Sequence, residues 1–392
     1  MIFSLLLVFL LPYILWIVFK IDKYVPLAII QILMGIILGP GLLGHFFPST
    51  YDYFFNPDSL QFLNGISTLG IAIFVMSIGL ETDFNIGKNE IDSLTTSILC
   101  FLCPFIFGCT AATIMMFLGF IESIHPVKLV LSVGLAISVT ALPILSVILE
   151  KFGLKNTIFY NRVIKYASLD DFIIWSCLAL ILMDLNILIS QGLYAIFLVL
   201  SGFLLKKIRS FVLKGDNRYY ISLIFLLLSS AIADLVKLHF VFGAFIAGII
   251  IGKNIFNKEE INKLRKIVSI TMMPVFFILT GIRTEWSIDN YSVVIIGITL
   301  LVIAVSGKLF GAYLSGKIFR WGKGESYIIG WLLQTKALIE IIYIQIMFDY
   351  GIFNKDLYCS FMLMAIGSTI LTMPAILSKK KNRIFLEKMA QN

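Results

Sequence analysis

Apolar residues in this chain come in long uninterrupted runs, and that feature restricts the fold to one class. Thirteen runs can be read: 2–19, 25–44, 61–80, 94–119, 128–149, 158–184, 187–205, 219–236, 239–252, 267–282, 291–316, 325–348 and 357–378. A bilayer's hydrocarbon core takes about 20 apolar residues of helix to cross. Within it only helices and closed barrels satisfy every backbone polar group. Barrel strands alternate apolar and polar residues, and these runs do not. With 59% hydrophobic and 14% charged residues and a mean hydropathy of +0.97, the expected class is an all-α polytopic membrane protein of about 13 transmembrane helices.

Basic residues set an expected orientation. With Met1 outside, 25 of the 31 Lys and Arg residues fall in alternate loops and the tail on the cytoplasmic side. Lys128, Lys237, Arg283 and Lys355 fall outside, and Lys308 and Lys336 lie within helices. That asymmetry follows the positive-inside rule, so the net charge of +8 calls for no nucleic-acid partner. A multi-pass cell-membrane protein is expected, in a bacterial inner membrane, with its C-terminus cytoplasmic. The first run lacks a basic leader and cleavage site and reads as a retained helix. The tail beyond residue 379 is short, and its Lys/Arg cluster suits lipid headgroups.

Several chemistries find no support in the sequence. Cys100 and Cys103 have redox spacing but no second pair, and the five cysteines read as packing residues. His45, His125 and His239 form no cluster. Phosphate loops, nucleophile elbows and zinc motifs are absent, so neither an enzyme nor a cofactor is expected.

The run around Ala167–Met183, ASLDDFIIWSCLALILM, contains two adjacent carboxylates, Asp170 and Asp171, and no other charge. A charged residue at mid-bilayer costs roughly 3 kcal/mol on insertion scales. A pair there implies a watery cavity or a partner, and so movement of cations or protons. The two side chains are about 100° apart around a helix, which suits two roles better than one. Lys308, in AVSGKLFGAYLSG, is the candidate ion-pair partner. It is also within two turns of its helix end, near enough to snorkel.

Two helices carry polar breakers at matching depth. One is LSVGLAISVTALPILSVIL with Ser138, Thr140 and Pro143; the other is YIIGWLLQTKALIEIIYIQIM with Gln334, Thr335, Lys336 and Glu340. Pro143 removes an amide donor and clashes with the preceding turn. An odd helix offset between the two makes them cross the membrane in opposite directions. That is the trace of an inverted-topology repeat, with the binding site at the breaks. Lys336 and Glu340, spaced i, i+4, could pair with each other or contact substrate. Asp171, Thr140, freed carbonyls and water would make an oxygen cage for Na⁺, K⁺ or Li⁺, the metal ligand being Asp171.

Taken together and in order, these motifs resemble the monovalent cation:proton antiporters of the second superfamily. GIILGPGLLG (Gly35–Gly44), GIAIFVMSIGLETDF with Glu81 and Asp83, AISVTALPILSVILEKFGL and ASLDDFIIW carry the first part. FGAFIAGIIIG (Phe242–Gly252), MPVFFILTGIRTE, Gly307-Lys308 and QTKALIE carry the rest.

The resemblance implies two inverted three-helix repeats with crossed broken helices, a separate dimerising panel and electrogenic exchange. It also implies that Asp171 binds ion and proton, that Asp170 pairs with Lys308, and that Thr140 lies where the first crossover unwinds. The expected organisation is panel helices over 1–90, core repeat one over 91–186, a linker helix over 187–206, panel helices over 207–285, core repeat two over 286–379 and a tail over 380–392. Gln334 and Ala337 depart from the common Asn and Gly of the second crossover. The nucleotide-binding domain of potassium-efflux members is not expected. The function implied is secondary exchange of a monovalent cation, Na⁺ first, for protons by a homodimer. A passive cation channel or a non-transporting sensor on the same scaffold are the alternatives.

Overall fold

The computed structural model describes residues 1–20, 27–81, 91–122, 125–141, 145, 148–149, 151–154, 157–182, 188–212, 215–252, 255–284, 291–322, 324–336, 338–378, 386 and 389. The side chains of a few helical residues, Glu81 and Asp171 among them, fall outside that description, as do Asp83, Pro143 and Ala337 entirely. In chain order the helices are α1 (Ile2–Val18), α2 (Leu27–Leu38), α3 (Leu43–Phe46), α4 (Pro48–Phe54), α5 (Pro57–Glu81), α6 (Ile91–Phe117) and α7 (Pro126–Ser138). They continue as α8 (Ile158–Leu182), α9 (Leu188–Val212), α10 (Asn217–Leu235), α11 (Phe240–Ile251), α12 (Lys258–Thr271), α13 (Met273–Arg283), α14 (Tyr291–Ile318), α15 (Glu325–Leu333), α16 (Leu338–Asp349) and α17 (Lys355–Leu377).

Every apolar run of the sequence is helical over most of its length, and the molecule is an all-α multi-pass membrane protein. Among the described residues, six helical spans are long and apolar enough to cross a bilayer alone. A seventh forms if α12 and α13, bent by 43° at Met272, count as one span. The sequence reads 267–282 as one run. The chain instead starts a polar helix at Lys258, closed by a capping box in which Asn257 and Glu260 each accept the other's backbone N–H.

The chain divides into two compact units, 1–9, 53–86 and 175–279 in one and 10–52, 87–174 and 280–392 in the other. In the first, glycines let backbones touch. A Cβ on Gly248 of α11 would lie 2.2 Å from the Met76 carbonyl oxygen of α5, and one on Gly243 would lie 2.4 Å from that of Ser229 on α10. The small-residue stretch GAFIAG thus packs closely against α5 and α10. Arg265 of α12 adds donations to the Ser77 hydroxyl and carbonyl at 3.2 and 3.1 Å.

In the second unit α6 serves as a wall shared by α7 and α14. A Cβ on Gly307 would lie 2.5 Å from Pro104 Cα, and one on Gly108 would lie 2.8 Å from Gly134 Cα. Lys308, next to Gly307, and the C-terminal end of α7 are therefore brought to the same wall. At the other end of α8, Arg162 pairs with Glu325 in the first turn of α15. Its guanidinium lies over Trp321 at 5.6 Å, which anchors α8 to the helix that leads into the second break.

Candidate ion-exchange site

The first break begins where α7 stops. Its thirteen residues make about 20 Å of helix, too short for a core about 30 Å thick. Ser138 is the last helical residue, and Val139 is extended with φ −56° and ψ 139°. The nine residues of α15 end likewise at Leu333, followed by the non-helical Thr335 and Lys336. The two unwound segments are joined directly. Ala141 N–H donates to the Thr335 carbonyl at 2.7 Å, and the Thr140 hydroxyl lies 2.9 Å from the Leu333 carbonyl oxygen.

Asp170 of α8 and Lys308 of α14 meet at this join. Both side chains are 0% exposed. Lys308 Nζ donates to Asp170 Oδ2 at 2.9 Å and to Thr140 Oγ1 at 2.8 Å. Thr140 Oγ1 lies 2.8 Å from Asp170 Oδ2. A hydroxyl has one proton and two lone pairs, so Thr140 accepts from Lys308 while donating to either Asp170 or the Leu333 carbonyl. The triad ties the aspartate helix, the first break and α14 together. Asp170 Oδ1 has no hydrogen-bond partner among the described residues.

Lys336 crosses to the other half of the site. Its ammonium donates to the carbonyls of Ala136, Ile137 and Val139 at 3.2, 2.8 and 3.1 Å. Ala136 and Ile137 lie in the last turn of α7 and Val139 just beyond its end, where a helix carries partial negative charge. The cation thus caps the broken helix of the other repeat. Glu340 Oε1 lies 3.6 Å from the same ammonium.

Backbone groups freed at the second break are taken up by α17. The Ser368 hydroxyl donates to the Gln334 carbonyl at 2.7 Å and accepts from Gln334 Nε2 at 3.2 Å. The Thr369 hydroxyl lies 2.8 Å from the Lys336 carbonyl oxygen. Buried non-helical backbone at membrane depth needs such partners.

Residues 5–379 match the family model for the transmembrane sodium/hydrogen exchangers. The chain belongs to the sodium/hydrogen exchanger family. It is similar to the Na(+)/H(+) antiporter NhaS4 of Synechocystis, with 28% identity over 90% of both chains. It is also similar to Cation/H(+) antiporter 17 of Arabidopsis thaliana, 28% identical over 91% of this chain but spanning only 45% of that protein. Among solved structures, the sodium proton antiporter MjNhaP1 of Methanocaldococcus jannaschii superposes with a TM-score of 0.64 over 100% of this chain and 99% of its own, at 13% identity. That likeness establishes the fold. The family is one of transporters, not enzymes.

Of the residues singled out in this exchanger's sequence, the structure gathers Thr140, Asp170 and Lys308 in one contact set and Thr335, Lys336 and Glu340 beside it. Asp171 follows Asp170 in α8, and its side chain lies outside the described residues. The Thr335 hydroxyl turns back to the Leu332 carbonyl at 2.9 Å. Ser368 and Thr369 were not foreseen, although an adjacent polar pair in the apolar run 357–378 is a readable signal. The cap that Lys336 places on α7 has no sequence signal, because its acceptors are backbone oxygens.

Proposed function

We propose that this protein exchanges a monovalent cation, Na⁺ first and K⁺ or Li⁺ as further substrates, for protons by alternating access, and that the exchange is electrogenic. The observation that carries the reading is the buried Thr140–Asp170–Lys308 triad at the meeting of two broken helices. Lys308 is committed to Asp170 and Lys336 to the carbonyls of α7. The adjoining carboxylate, Asp171, takes the cargo in this reading: ionised it holds the cation, protonated it releases it. Thr140 and freed backbone oxygens supply the hard neutral donors that such an ion prefers.

In this reading residues 91–186 and 286–379 form the moving core, and 1–90 and 207–285 a static panel that dimerises. The N-terminus faces out and the C-terminus the cytoplasm of a bacterial inner membrane. The matched relative of equal length is named as a Na⁺/H⁺ antiporter, which supports Na⁺ as the first substrate. Purified protein in proteoliposomes with an internal pH dye tests the reading. Na⁺ gradients should drive proton movement, with rates that respond to a valinomycin-set potential. Cation flux without proton counter-flow would favour a passive channel, and no flux of either a sensor. A monomer by mass photometry in lipid nanodiscs would remove the dimer.

A further inference from the structure

Glu340 is a fully buried carboxyl with no hydrogen bond to any described residue. It is 0% exposed, and neither of its oxygens has a hydrogen-bond partner among the described residues. Its nearest cation, Lys336 Nζ, is 3.6 Å away, beyond hydrogen-bond range. The reason is the valence of the ammonium. It has three donors, and three backbone carbonyls at the end of α7 and just beyond it, those of Ala136, Ile137 and Val139, take them. Lys336 therefore offers Glu340 charge but no proton to bond.

A buried carboxylate without hydrogen bonds is costly, and two changes relieve the cost. The group takes up a proton, or it draws the ammonium off the carbonyls. A charge-assisted pair closes to about 2.7–2.9 Å, so a displacement of under about 1 Å converts the 3.6 Å approach into a direct bond. The other charges acting on this pair are Lys308 on α14 and, towards Lys336, Asp170 on α8. Against it α7 brings carbonyls, with the Tyr343 hydroxyl of α16 donating to that of Ser132 at 3.2 Å. On α17 the stretch from Ser360 to Leu377 holds no charged residue.

We propose that Glu340 is a second proton-binding site of the core, and that its charge selects which of two partners Lys336 holds. The proposal rests on the exchange reading above. With Glu340 protonated, Lys336 stays on Ala136, Ile137 and Val139 and locks the two breaks together, as in this structure. With Glu340 ionised, the carboxylate competes for the ammonium, the end of α7 loses its cap and the crossing loosens. Acid thus holds the crossing and alkali frees it, apart from any competition between proton and cation at Asp171.

Infrared difference spectroscopy between acid and alkaline pH, on reconstituted wild-type protein, Glu340→Gln and Asp171→Asn, tests the site without relying on transport. A protonated-carboxyl C=O band that titrates in wild type should vanish in Glu340→Gln and persist in Asp171→Asn. Identical carboxyl bands in wild type and Glu340→Gln would overturn the proposal. If Glu340→Gln does not fold, Glu340→Asp should shift the band, and an unmoved band counts equally against it. In proteoliposomes Glu340→Gln should flatten the pH profile, its alkaline rate falling to the wild type's acidic one. A profile parallel to wild type would sever Glu340 from Lys336. A titrating band in a wild-type protein that exchanges nothing would instead refute the exchange reading and leave the proton site standing.

Discussion

Ala141 and Thr335 share a backbone hydrogen bond of 2.7 Å, from the amide of one unwound segment to the carbonyl of the other. Neither residue can be replaced by a side-chain contact here, since both groups belong to main chain that no helix satisfies. The bond fixes the distance between the breaks, and the polar side chains around it are arranged to complete what it starts.

Lys336 should be the most sensitive residue of that arrangement. Lys336→Met leaves the Ala136, Ile137 and Val139 carbonyls and Glu340 without the cation, and breaking a buried charged contact costs about 3–5 kcal/mol. The thermal midpoint of purified protein should fall more for this variant than for any other substitution at the crossing. Adding Glu340→Met should recover only part of the loss, because the carbonyls still lack the ammonium. Full recovery in the double variant would show that the carbonyl cap contributes little.

Lys308 and Asp170 should behave as one unit. Each single variant, Lys308→Gln or Asp170→Asn, leaves a buried group without its partner. The double variant removes both, so its loss of exchange rate and stability should be smaller than the sum of the singles. A double-mutant cycle in matched proteoliposomes reads the coupling. Strict additivity would show that the two residues do not act as a pair.

The Thr140 hydroxyl links Lys308, Asp170 and the Leu333 carbonyl. Thr140→Val keeps the shape and removes the link, at a cost of about 1–3 kcal/mol for the polar groups left unpaired. Thr140→Ser should retain most of the stability and transport that Thr140→Val loses. Equal behaviour of the two, by melting and by ΔpH assay, would mean that shape alone matters at this position.

Most helix positions and Lys308 as an aspartate's partner were legible in the sequence for a simple reason, whereas Thr140, read there with Asp171, bonds Asp170 and Lys308. Apolar runs, mid-membrane charges and Pro143 are all side-chain signals, and the bilayer makes each of them expensive or obligatory. The bend at Met272 and the polar helix from Lys258 were not legible, because a hydropathy reading stops where charge begins. Lys336 pointed by spacing to Glu340, i, i+4 on one face, yet its hydrogen bonds go to another segment's backbone. Carbonyl acceptors have no letter in a sequence. For GAFIAG, small residues announced close packing without saying against which surface.

That packing supplies a further test within the first unit. A Cβ on Gly248 would meet the α5 backbone at 2.2 Å from the Met76 oxygen and 2.9 Å from Gly79 Cα. Gly248→Val must push α11 and α5 apart, so yield and the monodisperse peak in size-exclusion chromatography should drop sharply. Gly65, with nothing within 4 Å of an added Cβ, should accept Ala with no such loss. Equal tolerance at both positions would contradict the observed helix contact.

The central claim is that Asp171 carries cation and proton in turn while the neighbouring Asp170 is held by Lys308. The direct measurement is Na⁺-driven proton movement in proteoliposomes containing Asp171→Asn, at matched protein content and from about pH 6 to about pH 9. Asparagine keeps the shape and cannot ionise or take up the exchanged proton, so exchange should vanish throughout while the protein remains inserted and monodisperse. Wild-type rates in that variant would contradict the account.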